Sequence, residues 1–153
     1  MPEPLYWGDL HCHTGLSYGK GSVETALANG RSHVDFVAVI GHAFWPDMEI
    51  SSSDFNNTNL MHFGGFEKLA RLWPSAKQII EQNNQPGEFV TFLGYEWHSN
   101  EYGDYVVLFK EPDKEAELIT ADTIAGLKAA VRDRDVFVIP HHIGYMNGER
   151  GLN

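Results

Sequence analysis

The sequence predicts an α/β domain built on a mostly parallel sheet with helical cover. Short, strand-like apolar runs alternate with segments of helical spacing. The irregular stretches Gly15–Gly21, His42–His62 and Trp97–Asp104 each follow the C-terminal end of a predicted strand, where α/β folds keep their chemistry. At 153 residues and 42% hydrophobic content, the chain has the size and core material of one domain, and residues 1–153 are read as a single one.

Leu5–Leu10 reads as a strand running into His11. Ser22 is placed to cap a helix whose Val23, Ala26 and Leu27 share a face. Asp35–Ile40 is a buried strand. From Phe63 to Asn84 the apolar residues Phe66, Leu69, Leu72, Ile79 and Ile80 follow helical spacing, and Pro74 is expected to end one helix and begin another. The Pro86-Gly87 pair closes that segment. Phe89–Gly94 and Tyr105–Phe109 are further strands, followed by an acidic connection through Glu117. Thr120 is the expected cap of a helix presenting Ile124, Leu127 and Val131, which leads into the strand Val136–Ile139. With nothing after it to cover that strand, self-association into a homo-oligomer or a missing C-terminal segment is expected.

Lys and Arg total 11 against 21 Asp and Glu, a formal charge of -10, which argues against general binding to nucleic acid or anionic membranes. The apolar runs are far shorter than the roughly 20 residues needed to cross a bilayer. Met1-Pro2-Glu3-Pro4 lacks the features of a secretory signal and the single cysteine forms no intrachain disulfide, so a cytoplasmic setting is expected. Dinucleotide-binding, phosphate-loop and serine-elbow motifs are absent.

The chemistry is carried by histidines, of which there are eight. His11 and His13 lie two apart at a strand end, so both imidazoles project to one side and can meet one cation. His42, Glu96 and the pair His141-His142 stand at other strand ends, which a parallel sheet brings to one rim. Imidazoles with a carboxylate suit Zn, Mn or Fe better than Ca, and Glu96 is the best candidate to bridge two ions. Asp9 is expected to point away from His11 and to orient an imidazole rather than ligate, a placement that depends on register. Cys12 reads as a small buried thiol. Asp104 is open between ligand, partner of a ligand histidine and turn residue; His98 between metal and substrate contact; Lys20 between phosphate contact and exposed lysine. Trp45, Tyr95, Trp97 and Tyr102 are either pocket walls or packing. His33 and His62 read as solvent-facing or capping residues.

Taken together, Gly8-Asp9-Leu10-His11-Cys12-His13-Thr14, Asp35 through Ala43, Gly94-Tyr95-Glu96-Trp97 and Ile139-Pro140-His141-His142 resemble the PHP (polymerase and histidinol phosphatase) superfamily, closest to its DUF3604-like branch. The resemblance implies the N-terminal portion of a distorted (β/α)7 barrel and a multinuclear phosphoesterase site. It implies His11 and His13 on a first ion, Glu96 bridging to a second, His141 on the second and His42 on the side of a third. Departures are Gly41, where the family has an aspartate before the histidine, Asp104 in place of a histidine, and no ligand near Gly19. The family's later histidine and Asp-x-His motif would fall beyond Asn153.

The expected function is metal-dependent phosphoester hydrolysis of a small phosphorylated substrate, using two divalent ions, with His11, His13, Glu96 and His141 central. The alternatives are a non-catalytic or partner-completed metal-binding domain, and a metal-dependent hydrolase of other esters or amides.

Overall fold

The computed structural model describes residues 3–48, 57–112 and 116–142, with the side chains of 57–59 left out. Its elements are β1 (Gly8–His13), α1 (Val23–Arg31), β2 (Phe36–Phe44), α2 (Asn57–Asn83), β3 (Val90–Trp97), β4 (Asp104–Phe109), α3 (Ile124–Val131) and β5 (Val136–His141). Residues 49–56 of the expected irregular stretch lie outside the described residues. No described helix is long and apolar enough to cross a membrane.

The five strands form one sheet in sequence order. β1–β2 and β2–β3 pair parallel, but β3–β4 and β4–β5 pair antiparallel. The expectation of a mostly parallel sheet, and with it the portion of a (β/α)7 barrel, is therefore corrected. The cause is the connection between β3 and β4, residues 98–103. A parallel crossover needs about a dozen residues or more, so this short link can only make a hairpin.

The sheet is strongly curled. Its edge strands β1 and β5 would lie about 19 Å apart across four flat strand spacings. Yet the rings of His11 on β1 and His141 on β5 sit with centroids 4.1 Å apart.

Alternation divides the strands between two faces. The outer face contributes Val37, Val39, Leu93, Tyr95, Trp97, Val107 and Phe109 to the main core, against Leu69, Trp73, Ala76 and Ile80 of α2 and Leu127 of α3. The inner face carries Ala38, Ile40, Val106 and Leu108, with Phe92 and Ile139 packed against them. Tyr95 and Trp97 are core residues rather than pocket walls. Trp97 Nε1 donates to the Ala121 carbonyl at 2.7 Å.

α1 starts where expected, with Ser22 Oγ accepting from the Thr25 N–H. α2 runs unbroken through Pro74 instead of dividing there. Proline removes one helical hydrogen bond, but the buried face on both sides of it docks on one sheet, and Trp73 Nε1 donates to Ala116 O. α3 is capped by Thr123 rather than Thr120, its Oγ1 accepting from the Gly126 N–H.

Candidate metal centre

Register determines what shares the rim. Along β2 the inner face reads Ala38, Ile40, His42, and along β3 it reads Phe92, Gly94, Glu96, paired in that order. The antiparallel β4 reads Leu108, Val106, Asp104 toward the same rim, opposite Phe137, Ile139 and His141 of β5. Reversing β4 therefore keeps a donor at the rim, taken from the strand's first residue instead of its last.

Two irregularities aim the histidines. Between Asp9 and Cys12, β1 spends one residue more than β2, and between His42 and Phe44, β2 spends one more than β3. Such bulges redirect side chains next to functional sites. In a regular strand Asp9 would share a side with His11. The extra residue instead leaves Asp9 with Cys12 and Lys20, lining a cleft on the α1 side. There Asp9 Oδ1 accepts from the backbone N–H of His11 at 2.8 Å, bracing the bulge rather than an imidazole. Lys20 is exposed on the same side, away from the histidines. Cys12 is half-buried against the core, and burial, then Asp9, pushes its thiol pKa up.

Glu96, 1% exposed, is the hub. Its Oε2 faces His42 Nδ1 at 3.2 Å, His13 Nε2 at 3.4 Å and His11 Nε2 at 3.5 Å, while Oε1 faces His141 Nε2 at 3.5 Å and His98 Nδ1 at 4.0 Å. Asp104, fully buried, places Oδ1 3.3 Å from His98 Nδ1 and Oδ2 3.3 Å from His142 Nδ1. Among the described residues, three donor groups result: His11, Glu96 and His141; His13, His42 and Glu96; Glu96, His98 and Asp104. Glu96 belongs to all three.

The donor chemistry fits a cation. The Ile40 carbonyl can only accept, so His13 Nδ1, 3.1 Å away, holds the proton and Nε2 turns a lone pair inward. His11 Nε2 lies 2.9 Å from His13 Nε2, and His42 Nδ1 lies 2.8 Å from His98 Nε2, close pairings of ring nitrogens around one acceptor-only carboxylate. Glu96 Oε2 and His98 Nδ1 are buried and receive no hydrogen bond of good geometry. Buried polar atoms are rarely left so. A cation would satisfy both.

Electrostatics agree. Burial alone would raise the Glu96 pKa, but the rings of His11 and His13, then His98 and His42, outweigh it and hold the carboxyl well below its ordinary range. Burial, helped by neighbouring imidazoles and opposed by Glu96, pushes His42 down to about 2. His141 is lowered by burial and then by His11. A neutral His42 and His141 beside an ionised Glu96 are protonation states that ligation requires.

His62 was expected at the surface or as a cap, but it sits beside the cluster, with ring centroids 5.0 Å from Tyr18, 5.2 Å from Trp45 and 6.1 Å from Phe66. Its i,i+4 relation to Phe66 was the available signal. Tyr18, not singled out in the sequence, stacks on His42 at 4.0 Å. A Cβ at Gly65 would come 2.3 Å from Tyr18 Cδ1, which explains a glycine inside α2. His33 matches expectation: exposed, with Nδ1 donating to Asn29 O at 2.9 Å.

A search of the curated proteins gave no match. The model of a family described as "Protein of unknown function (DUF3604)" matches residues 46–128, over half of the chain, a stretch that holds Glu96, His98 and Asp104 and begins after His42. On that match the chain belongs to the DUF3604 family.

Proposed function

We propose that this protein is a metal-dependent hydrolase of phosphoesters centred on Glu96. The observation that carries the reading is the Glu96 carboxylate itself, buried, with each oxygen facing a different set of ring nitrogens. A carboxylate so placed could serve two ions, one at each oxygen. His11 with His141 would hold one ion and His13 with His42 a second, each with Glu96, and His98 with Asp104 would form a third donor group around the same carboxylate. Zn, Mn or Fe suits this mixture of imidazole and carboxylate. Divalent ions held there would supply a water of lowered pKa and neutralise charge developing on the phosphoryl oxygens.

The chain's own residues prepare that chemistry. Ile40 O keeps the His13 proton on Nδ1, leaving Nε2 to ligate. His142 is exposed at the rim with Nδ1 on Asp104 Oδ2, placed to take up or release a proton there. The phosphoester class rests on the resemblance of the motifs around His11, His42, Glu96 and His141 to the PHP superfamily.

A competing reading is a metal-binding domain without turnover, or one completed by a partner. It is favoured by His11, His13 and His141 being 26%, 28% and 28% exposed on the edge strands β1 and β5. The test is elemental analysis of protein purified without chelator, followed by assay against phosphomonoesters, phosphodiesters, carboxylic esters and amides. Two or more ions per chain with phosphoester hydrolysis is the expected result. Bound ions without any turnover would establish the competing reading, and turnover of carboxylic esters or amides alone would replace the substrate class.

A further inference from the structure

Resting on the metal-binding reading, we propose that Asp47 is a positioning residue for the centre: it latches the segment after β2 onto the β3–β4 turn and thereby holds His98 and Asp104 in place. Two of the donors around Glu96 stand on that turn, His98 at its start and Asp104 at its end. A six-residue hairpin loop is mobile unless something ties it. Within the turn, Ser99 Oγ accepts from the N–H groups of Tyr102 (3.0 Å) and Glu101 (3.1 Å), and Gly103, at φ +80, donates its N–H to Ser99 O (3.1 Å). These bonds shape the turn. They do not aim it.

Aim comes from across the sheet. The His98 N–H donates to Phe44 O at 2.8 Å. Asp47 then takes the next three residues: Asn100 N–H donates to Oδ1 (2.9 Å), Glu101 N–H to Oδ2 (3.0 Å) and Ser99 Oγ to Oδ2 (2.8 Å), while Asn100 Nδ2 donates to the Asp47 carbonyl (2.9 Å). Three donors converging on two oxygens require an acceptor-only group, which asparagine is not. Asp47 stands outside the three donor groups and its carboxylate is filled by protein donors, so its role is to position, not to ligate.

The experiment compares full-length wild type, Asp47→Asn and Asp47→Ala by Co²⁺ titration, following the visible ligand-field spectrum and bound Co²⁺ per chain, with metal-free melting temperature measured in parallel. Outer-shell partners tune metal affinity by about 10- to 100-fold. The expected result is Co²⁺ binding weakened about 10-fold or more in Asp47→Ala, an intermediate loss in Asp47→Asn and an altered spectrum in both, with the metal-free melting temperature little changed. If Asp47→Ala does not fold, a weakened affinity and shifted spectrum in Asp47→Asn supports the proposal. Wild-type affinity and spectrum in the folded variants would overturn the latch while leaving the metal centre standing. Failure of the wild type to bind Co²⁺, Zn²⁺ or Mn²⁺ would overturn both.

Discussion

The two ends of the sheet's inner face are built from the same strands two residues apart, yet they behave as opposite materials. At one end His42, Glu96, Asp104 and His141 form a polar rim. Val106 and Ile139 follow Asp104 and His141 inward, opposite Glu96, and one step down Ile40, Gly94, Leu108 and Phe137 stand in register, with Ala38 and Phe92 below them. The lower end borders an open cavity of about 600 Å³ lined by Leu10, Phe36, Phe92, Leu108, Phe137 and Ile139, among others. The comparison teaches why Glu96 can be ionised while buried. The apolar layer removes water from beneath it and the imidazoles replace that water as partners, so the cost of desolvation is met by the ligand set rather than by solvent.

The largest effect should come from the polar layer. Glu96→Gln removes the charge shared by all three donor groups. It should weaken ion binding by about 100-fold or more, since the loss of a partner that only supports a ligand already costs about 10- to 100-fold. Calorimetric titration with Zn²⁺ measures this, and retained affinity would show that the ions, if bound, are held elsewhere.

Breaking the apolar layer should do the reverse. Leu108, 1% exposed, pairs with Gly94 and lies four residues from Asp104 at the rim. Leu108→Ala should destabilise by about 2 kcal/mol, the lower end for a buried leucine because one side of its layer is open. Denaturant unfolding reads the loss, with ion stoichiometry unchanged.

Gly94 joins the layers. A Cβ there would meet Ile40 Cδ1 and Val107 O at 2.7 Å each. Gly94→Ala should cost roughly 1–2 kcal/mol through overpacking. Because Glu96 follows on the same face, it should also weaken ion binding, which separates it from Leu108→Ala in a single paired measurement.

The smallest expected effect is on pH dependence in the metal-free protein. His42 is depressed from 6.5 to about 2 in the fold. Below 6.5 the unfolded chain therefore takes up a proton that the folded chain refuses. Its contribution to stability is fully present above 6.5 and is lost as pH falls toward 2, by about 1.4 kcal/mol per unit. Lowering the pH from 7.5 to 5.5 should reduce unfolding free energy by about 1.4 kcal/mol from this group, with His141 adding in the same direction. Glu96, whose ordinary value of 4.5 is already below this window, contributes little to the change. His42→Asn should flatten the slope, and an unchanged slope would mean that His42 is not held neutral.

Much of the site was readable along the chain because ligand types and strand ends are local properties. His11 and His13 share a side by alternation, and an apolar run ending in histidine or glutamate marks a rim wherever its strand lies. The α1 cap at Ser22 and the apolar face of α3 were local in the same way. The approach of Tyr18 to His62, the stack of Tyr18 on His42 and the grip of Asp47 on residues 99–101 join parts of the chain about 25 to 55 residues apart, and no local pattern announces them.

Sequence by itself determined which strands exist, which of their residues face one way, and that the inward-facing ends carry donors. Only the tertiary structure decided strand direction and curl. The direction of β4 follows from a hairpin too short to cross over, and β5, joined to it through α3, pairs antiparallel on its far edge. The contact of His11 with His141 follows from curvature accumulated over the whole sheet. Even Asp9 depended on it, since the extra residue that turns its carboxylate away from the histidines is visible only where β1 is paired against β2.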